Sequence, residues 1–250
     1  MKLSFMGNGS AFAETHNNAY FRHKDMLFII DLSMMNFLKA KQLATDADEV
    51  YILVTHMHDD HVSGIPLFCQ WWDHLGRKRT FNIAVPEILR EDMTEELRIK
   101  GVSPELYRLI TFDKNGTTAP GDPDDDLYEA SAAHIEHLVD RAIPTAHAKA
   151  LSGKCFGYRL QIGDTGLIYT GDTNTLEPFL PAIQDGDELY IETADQDVPP
   201  HLYWETAKDQ ITALAKTHPC YLMHQDDAKS MQNKLRGLKV RVAPIDTEEE

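Results

Sequence analysis

The sequence has few cysteines, few basic residues relative to acidic ones, and no long apolar run. Its three cysteines, Cys69, Cys155 and Cys220, are widely separated and form no CxxC pair. An odd and sparse set argues against a disulfide framework and for reduced thiols, so each cysteine is interpreted as a small core side chain. Because no apolar run is long enough to cross a bilayer, no membrane attachment is expected.

The shortage of basic residues bears on the kind of partner. The 250 residues include 24 lysines and arginines against 40 aspartates and glutamates, a formal net charge of −16. Proteins that bind long nucleic acids normally present a basic face, so extended DNA or RNA is not expected as a partner. The N-terminus lacks an apolar signal segment, which gives a cytoplasmic location as the expectation. The length and the absence of a linker predict one domain over residues 1–250.

The densest group of chemically functional side chains follows one apolar segment. Val50–Val54 is rich in β-branched and aromatic residues and short enough to be a buried strand. The run Thr55-His56-Met57-His58-Asp59-Asp60-His61 comes directly after it, and Gly64 and Pro66 then favour a loop. Imidazole and carboxylate are the usual ligands of zinc and its first-row neighbours. The loop is therefore predicted to bind metal, with a polar surface turn as the alternative.

Two other predicted strands also end in residues that bind metals. The segment 166–170 runs into Asp172, and the segment 220–223 runs into His224. Sites gather where several strands deliver ligands to one edge of a sheet, so both residues are expected to join the histidine loop. His147 follows a loop and alone would be interpreted as a surface histidine, but the pattern favours it as a further ligand.

The remaining segments alternate unevenly between strand and helix patterns, which predicts two mixed sheets with helices outside. Residues 105–110 are predicted as a short helix, residues 128–139 as one or two strands, and residues 140–146 as their connection. The acidic run Asp122-Pro123-Asp124-Asp125-Asp126 is interpreted as a solvated turn, because it lacks the spacing of an EF-hand calcium loop. Residues 248–250 are expected to fray.

The spacing His-x-His-x-Asp-His, with the later His147, Asp172 and His224, resembles the metallo-β-lactamase superfamily over nearly the whole chain. That resemblance implies an α/β fold, the αβ/βα sandwich of two mixed β-sheets flanked by helices. It also implies two divalent metal ions as cofactors, zinc in first place and manganese as the alternative. One ion would be held by His56, His58 and His147, the other by Asp60, His61 and His224, with Asp172 bridging both.

Within the superfamily, the opening Gly7-Asn8-Gly9-Ser10 resembles the tRNase Z-like and cyclic-nucleotide phosphodiesterase branch. The sequence departs from the tRNA-processing enzymes in two ways. It leaves room for only one hairpin between His147 and Asp172, where those enzymes carry a long arm. Their His-Glu-Ala-Thr segment is replaced by Ile191-Glu192-Thr193-Ala194, so the Glu is kept and the His is lost. The compact size resembles the anti-Pycsar type of enzyme, which implies a homodimer.

Together these features favour a binuclear metal-dependent phosphodiesterase acting on a small phosphodiester, above all a 3′,5′-cyclic mononucleotide. The hypothesis is attack of a metal-bound hydroxide on phosphorus, with Asp60 orienting the nucleophile. His201 is the candidate proton donor to the leaving oxygen, an exposed loop histidine being the alternative. Glu192 is expected to fix a metal-bound histidine, with a buried salt bridge as the alternative.

Four other functions stay open at this point. The same metals could serve hydrolysis of a lactone, thioester or amide, or an RNA 3′-processing nuclease. A non-catalytic protein that sequesters a nucleotide is a third alternative, although so complete a ligand set argues against it. A diiron site that reduces oxygen is the fourth, and no flavin-binding partner domain is evident in the sequence.

Overall fold

The computed structural model describes residues 2–77, 80–121 and 124–246, and twelve strands within them form two six-stranded sheets. The first sheet pairs its strands in chain order, with β1–β2–β3 antiparallel and β3–β4–β5–β6 parallel. Its strands are β1 (Ser4–Gly7), β2 (Asn18–His23), β3 (Met26–Ile30), β4 (Glu49–Leu53), β5 (Phe81–Pro86) and β6 (Arg108–Phe112).

The second sheet has the strand order β12-β11-β10-β9-β8-β7. The strands β7, β8 and β9 are antiparallel neighbours, and β9 to β12 are parallel. Its strands are β7 (Val139–Pro144), β8 (Phe156–Ile162), β9 (Thr165–Tyr169), β10 (Glu188–Glu192), β11 (Cys220–Met223) and β12 (Val240–Val242). Both sheets are therefore mixed.

Helices flank the sheets, and the longer ones bury an apolar face. In the helix Ile65–His74, for example, Phe68, Cys69 and Trp72 are completely buried while Gln70 is exposed. Among the described residues, no helix combines the length and apolar character needed to cross a membrane. The helices are α1 (Phe37–Leu43), α2 (Asp59–Val62), α3 (Ile65–His74), α4 (Arg90–Ile99), α5 (Tyr128–Leu138), α6 (Trp204–Leu214) and α7 (Ala228–Lys234). The predicted class, two mixed β-sheets flanked by helices, is confirmed.

The two sheets pack face to face through a shared aromatic core. Phe5 and Tyr190 approach across it with ring centroids 5.8 Å apart, and Phe112 and Tyr158 at 6.1 Å. At one edge of this core the sheets are joined by a backbone hydrogen bond from the N–H of Phe156 to the carbonyl of Thr55, at 3.1 Å. Packing in this way brings the carboxyl ends of the parallel strands of both sheets to one edge.

The structure contradicts the predicted helix over residues 105–110. A 3₁₀ turn, Pro104–Leu106, leads instead into strand β6, which pairs in parallel with β5. The residues Ile110, Thr111 and Phe112 are all buried in this edge of the first sheet, and β-branched and aromatic side chains suit that position.

The predicted strands over residues 128–139 are also wrong, because this segment is helix α5. Tyr128, Ala132 and Ile135 are buried at the three- and four-residue spacing of a helix face. The connection expected over 140–146 is instead largely strand β7, which closes the second sheet beside β8. Asp122 and Pro123 of the acidic run, and Glu248–Glu250, lie outside the described residues.

Candidate metal centre

Five strand ends meet at the edge where the two sheets join. On the first sheet, β3 runs into Asp31 and β4 runs into the loop that begins at Thr55. On the second sheet, β9 runs into Asp172, β10 ends in Glu192, and β11 runs into His224. Parallel strands collect their following loops at one edge, which is why residues far apart in sequence converge here.

The seven predicted metal ligands form two groups that share Asp172. In each group the candidate donor atoms lie within 4.8 Å of one another. The first group contains His56, His58, His147 and Asp172, and the second contains Asp60, His61, His224 and Asp172.

In the first group, His58 Nδ1 lies 3.0 Å from His56 Nε2 and 3.3 Å from His147 Nε2. The carboxylate atom Asp172 Oδ2 is 3.4 Å from His147 Nε2 and 3.8 Å from His56 Nε2. Donor atoms around a tetrahedral zinc ion, with bonds of about 2.0–2.1 Å, are about 3.3 Å apart. The observed spacing therefore suits a single divalent ion.

In the second group, Asp60 Oδ2 lies 3.1 Å from His61 Nε2 and 3.3 Å from His224 Nε2. Asp172 Oδ1 and Oδ2 each lie 3.5 Å from one of those imidazoles. His61 Nε2 and Asp172 Oδ1 are nevertheless buried without a hydrogen-bond partner among the described residues. Buried polar atoms normally have a partner, so these two atoms indicate a ligand other than the chain itself, and a cation fits them.

Asp31 supports the second group, although sequence analysis did not select it. Its completely buried carboxylate accepts hydrogen bonds from the N–H of Thr55 at 2.8 Å and from the Thr55 hydroxyl at 2.7 Å, and lies 2.7 Å from His61 Nδ1. If His61 Nδ1 donates its proton there, Nε2 is left free to bind a metal. The signal that could have identified Asp31 is its position directly after a buried strand, which the ligands also occupy.

Three of the residues that follow these strands have left-handed backbone conformations. The φ angles are +58° at Asp31, +55° at Gly171 and +63° at His224. A residue with a side chain pays about 1–3 kcal/mol for such a conformation, which persists only when the surroundings impose it. At Gly171 a Cβ would lie 2.4 Å from the carbonyl oxygen of Phe156, so only glycine fits where the chain turns toward Asp172.

Glu192 and His201, predicted to assist catalysis, are both brought to this edge. The backbone of Ala194 hydrogen-bonds to Leu202 at 2.8 Å and to Trp204 at 3.0 Å, which folds the intervening loop back onto the end of β10. The Nδ1 of His201 thereby contacts Glu192 Oε1, which is also 3.6 Å from His224 Nδ1.

His201, nine residues after Glu192 in the sequence, therefore lies over the metal groups. Its ring centroid is 5.0 Å from those of both His147 and His224. Glu192 is completely buried, and its second oxygen accepts a hydrogen bond from the backbone N–H of Thr173. One carboxylate thus holds His201 and the segment that carries Asp172, and it lies close to His224.

Charge is distributed unevenly between the two groups. Burial lowers the pKa of His56, and that of His147 to about 4, so these imidazoles are neutral at neutral pH. Burial also acts to lower the pKa of His224, but the carboxylates of Asp172, Asp60 and Glu192 raise it to about 9. In the metal-free chain, protons bound to the second group therefore supply positive charge where a divalent ion would otherwise supply it.

A further histidine that sequence analysis did not select lies near the second group. The half-buried imidazole of His16 is within electrostatic range of Asp60, His61 and His224, and its Nδ1 is buried without a hydrogen-bond partner. Burial lowers its pKa. The Gly7-Asn8-Gly9-Ser10 opening was the nearest segment that sequence analysis selected. The side chain of Asn18 donates to the carbonyl of Asp60 at 3.3 Å and so supports the metal-binding loop.

Comparison with known proteins adds a family and a set of similar folds. The family model described as anti-Pycsar protein Apyc1 matches residues 1–234. A ribonuclease Z of Halobacterium salinarum is 24% identical over 225 residues, covering 76% of this chain and 73% of the relative.

Two solved structures share the fold at low sequence identity. Zn²⁺-bound PqqB from Methylobacterium extorquens has a TM-score of 0.72 at 12% identity, and 99% of each chain is covered. The metallo-β-lactamase fold protein YhfI from Bacillus subtilis has a TM-score of 0.67 at 17% identity, with 89% of this chain and 85% of that chain covered. The predicted αβ/βα sandwich is therefore confirmed as a metallo-β-lactamase fold.

Proposed function

The chain belongs to the anti-Pycsar protein Apyc1 family, and we propose that it is a metal-dependent phosphodiesterase that hydrolyses a small phosphodiester, most specifically a 3′,5′-cyclic mononucleotide. The observation that carries this proposal is the pair of four-residue donor groups joined through Asp172. Two adjacent sites of this kind suit a clamp on the attacking and leaving oxygens of a phosphoryl group.

The size of the substrate follows from what surrounds the site. Between His147 and Asp172 the chain forms the short turn Lys149–Leu151 and the hairpin β8–β9, with no arm that could grip a folded RNA. The net charge of −16 also disfavours a long polyanion. A small diester needs neither feature, since it can enter a site at the sheet edge whole.

The residues present fit two divalent ions, with zinc as the first choice because imidazole nitrogen and carboxylate oxygen are its usual ligands. The Zn²⁺-bound PqqB structure, which has the same fold, supports that choice. His56, His58 and His147 would hold one ion, Asp60, His61 and His224 the other, and Asp172 both. When bound, such ions supply charge that stabilises the phosphoryl oxygens and acidify a water molecule.

The chain's own residues then have separate tasks. Both side-chain contacts of Asp60 use Oδ2, which leaves Oδ1 to accept a hydrogen bond from the attacking water and orient it. His201 is placed to donate a proton to the leaving ribose oxygen, which needs a donor as the P–O bond breaks. Glu192 keeps the His201 ring in place and raises the pKa of that imidazole against the effect of burial.

The test is turnover by metal-loaded protein on a panel of 3′,5′-cyclic nucleotides, with metal content measured on the same sample and products identified by chromatography. His201→Gln should lower kcat about 10²–10⁴-fold without loss of metal, because it removes the donor and leaves the ligands. The exposed His137→Gln, on α5, is the matched control and should act as wild type. Lactone or thioester turnover without any phosphodiester turnover would refute the proposal.

A second candidate is RNA 3′ processing, which the likeness to ribonuclease Z of Halobacterium salinarum favours. The same panel should therefore include a precursor tRNA with a 3′ extension. Cleavage of that RNA at a rate above that of every cyclic nucleotide would favour this candidate instead.

We also propose that the protein acts as a homodimer. Met34, Met35 and Leu38 are 47%, 57% and 70% exposed on the segment beside the metal-binding loop. The N–H of Met34 donates to Ser63 Oγ at 3.0 Å, which links this apolar patch to a residue two positions after the predicted ligand His61. Light scattering after gel filtration should give twice the chain mass of 28.4 kDa, and Leu38→Glu should reduce it to the monomer value.

A further inference from the structure

The loop between β1 and β2 is fixed to the edge that carries the metal ligands. The N–H of Ser10 donates to the carbonyl of Gln225 at 3.1 Å, and Gln225 directly follows His224. Gly9 forms one β-bridge with Gln225 and another with His16, at the far end of the loop. One end of the loop is therefore anchored one residue from the predicted ligand His224, and the other end is tied back to that same anchor at Gly9.

The stem of this loop is too closely packed to shift freely. A Cβ at Gly9 would lie 2.1 Å from the carbonyl oxygen of Thr15, and one at Gly7 would lie 2.4 Å from that of His16. Only glycine allows two backbone segments to approach so closely. The tip of the loop is consequently presented from a fixed base.

Phe12 occupies that tip. The N–H of Ala13 donates to the carbonyl of Ser10 at 3.1 Å, and the N–H of Phe12 donates to the Ser10 hydroxyl at 3.4 Å, which closes a tight turn. Phe12 is 98% exposed, more than any other large apolar side chain in the described ranges. Such turns normally carry glycine or short polar residues, so a phenylalanine here has no evident structural task.

The tip of the loop is a short length of chain from the metal centre. Two residues span at most about 7 Å of chain, so Phe12 is close to Ser10 and hence to the anchor beside His224. His16, at the other end of the loop, is bridged to Gly9 and so lies at the same anchor. The loop therefore carries an exposed aromatic ring at the edge that bears the second metal group.

We propose that Phe12 stacks on the nucleobase of a nucleotide whose phosphodiester lies at the metal centre. This inference rests on the proposed function and names the part of the substrate that the chain recognises. An aromatic ring offers a face to any base, so it gives affinity for nucleotides over base-free diesters with little preference among bases. Base–aromatic stacking contributes about 1–3 kcal/mol per base, which is roughly a 5- to 150-fold change in KM.

The experiment compares Phe12→Ala and Phe12→Trp on two substrates. One is a 3′,5′-cyclic nucleotide, and the other is 1-O-methylribose 3′,5′-cyclic phosphate, which keeps the diester but has no base. Phe12→Ala should raise KM for the nucleotide by the factor given above and leave the base-free diester unchanged, while Phe12→Trp should restore the wild-type KM. Ile99→Ala, which removes a 57% exposed side chain on α4, is the matched control.

Binding of a phosphorothioate cyclic nucleotide, measured by calorimetry on metal-loaded protein, separates this inference from the proposed function. Phe12-dependent binding without turnover of any diester would support the stacking role and refute the proposed reaction. Nucleotide turnover with an unchanged KM in Phe12→Ala would refute the stacking role alone. If Phe12→Ala raises KM equally for both substrates and also lowers the molecular mass measured by light scattering, Phe12 belongs to a subunit interface. That result would also overturn the inference.

Discussion

Replacing Asp31 by asparagine tests whether this buried carboxylate controls the second metal group. The wild-type side chain satisfies the N–H of Thr55, the Thr55 hydroxyl and His61 Nδ1 at distances of 2.7–2.8 Å. In Asp31→Asn the amide oxygen can still accept from the Thr55 N–H, so the amide NH₂ must face His61. His61 Nδ1 then has to accept, and its proton moves to Nε2, the atom that faces Asp60.

The size of the effect follows from this change of tautomer. Replacing a partner that orients a metal-bound histidine typically costs 10- to 100-fold in metal affinity, which is about 1.4–2.7 kcal/mol. We expect the larger loss for the ion of the second group, since Asp31 lies 2.7 Å from His61 Nδ1 but is linked to His56 Nδ1 only through the Thr55 hydroxyl, 3.0 Å from that atom.

The assay is competition for zinc between metal-free protein and a chromophoric chelator, which resolves a strongly weakened affinity from a less affected one. Asp187→Asn is the matched control, because Asp187 is equally buried but pairs with Arg159 Nη2 at 3.0 Å, at the opposite end of β10 from the metal groups. It should lower the melting temperature without changing either zinc affinity. Two unchanged affinities in Asp31→Asn would refute the reasoning.

Further predictions concern the backbone and the pH dependence. Gly171→Ala should lower the melting temperature far more than Gly163→Ala. Both glycines have a positive φ, +55° and +59° respectively, but only at Gly171 would the added Cβ lie 2.4 Å from a carbonyl oxygen. Equal shifts in melting temperature would contradict this. Zinc added to metal-free protein near neutral pH should release protons, because His224 has a pKa of about 9 and must be neutral to bind the metal. If an indicator dye shows no proton release, His224 is not a metal ligand. Because that pKa lies above the ordinary 6.5, the contribution of His224 to the stability of metal-free protein is complete below pH 6.5 and is lost as the pH rises through about 9. Urea unfolding of metal-free protein across this range should show the decline, and a rise would contradict it.

Much of the fold could be predicted from local patterns. The apolar run before His56, the hairpin that turns near Gly163 and the strand that ends before His224 are confirmed, because each pattern is set by neighbours in the chain. The prediction of strands over residues 128–139 is wrong although the three- and four-residue spacing of Tyr128, Ala132 and Ile135 is that of a helix face, a signal present in the sequence. The prediction of a connection over residues 140–146 is wrong because β7 has exposed residues that only pairing with β8 makes strand-like.

The candidate site divides in the same way. The ligand types and their position after strands are visible in the sequence, since the short spacing of His56, His58, Asp60 and His61 keeps them in one stretch. The predicted loop is only partly correct, because Asp60 and His61 lie in the short helix α2. The importance of Asp31 could not be predicted, because a single aspartate after a strand is common. Its role follows only from the structure, in which His61 Nδ1 lies 2.7 Å from its carboxylate. The position of His201 on the loop soon after Glu192 made it the candidate proton donor, but only the structure shows that this loop folds back and brings the ring over the metal groups.

By itself the sequence determined the chemistry that this protein can support: histidine and carboxylate donors, an acidic surface, and strands that end in those donors. The resemblance to the metallo-β-lactamase superfamily implied the division of the donors into two groups around Asp172. Only the tertiary structure decided the distances between these donors, the contact of Asp31 with His61, and where Phe12 lies. The physical reason is that donor identity belongs to each residue, whereas distances of about 3 Å between donors arise only when two sheets pack and their strand ends meet.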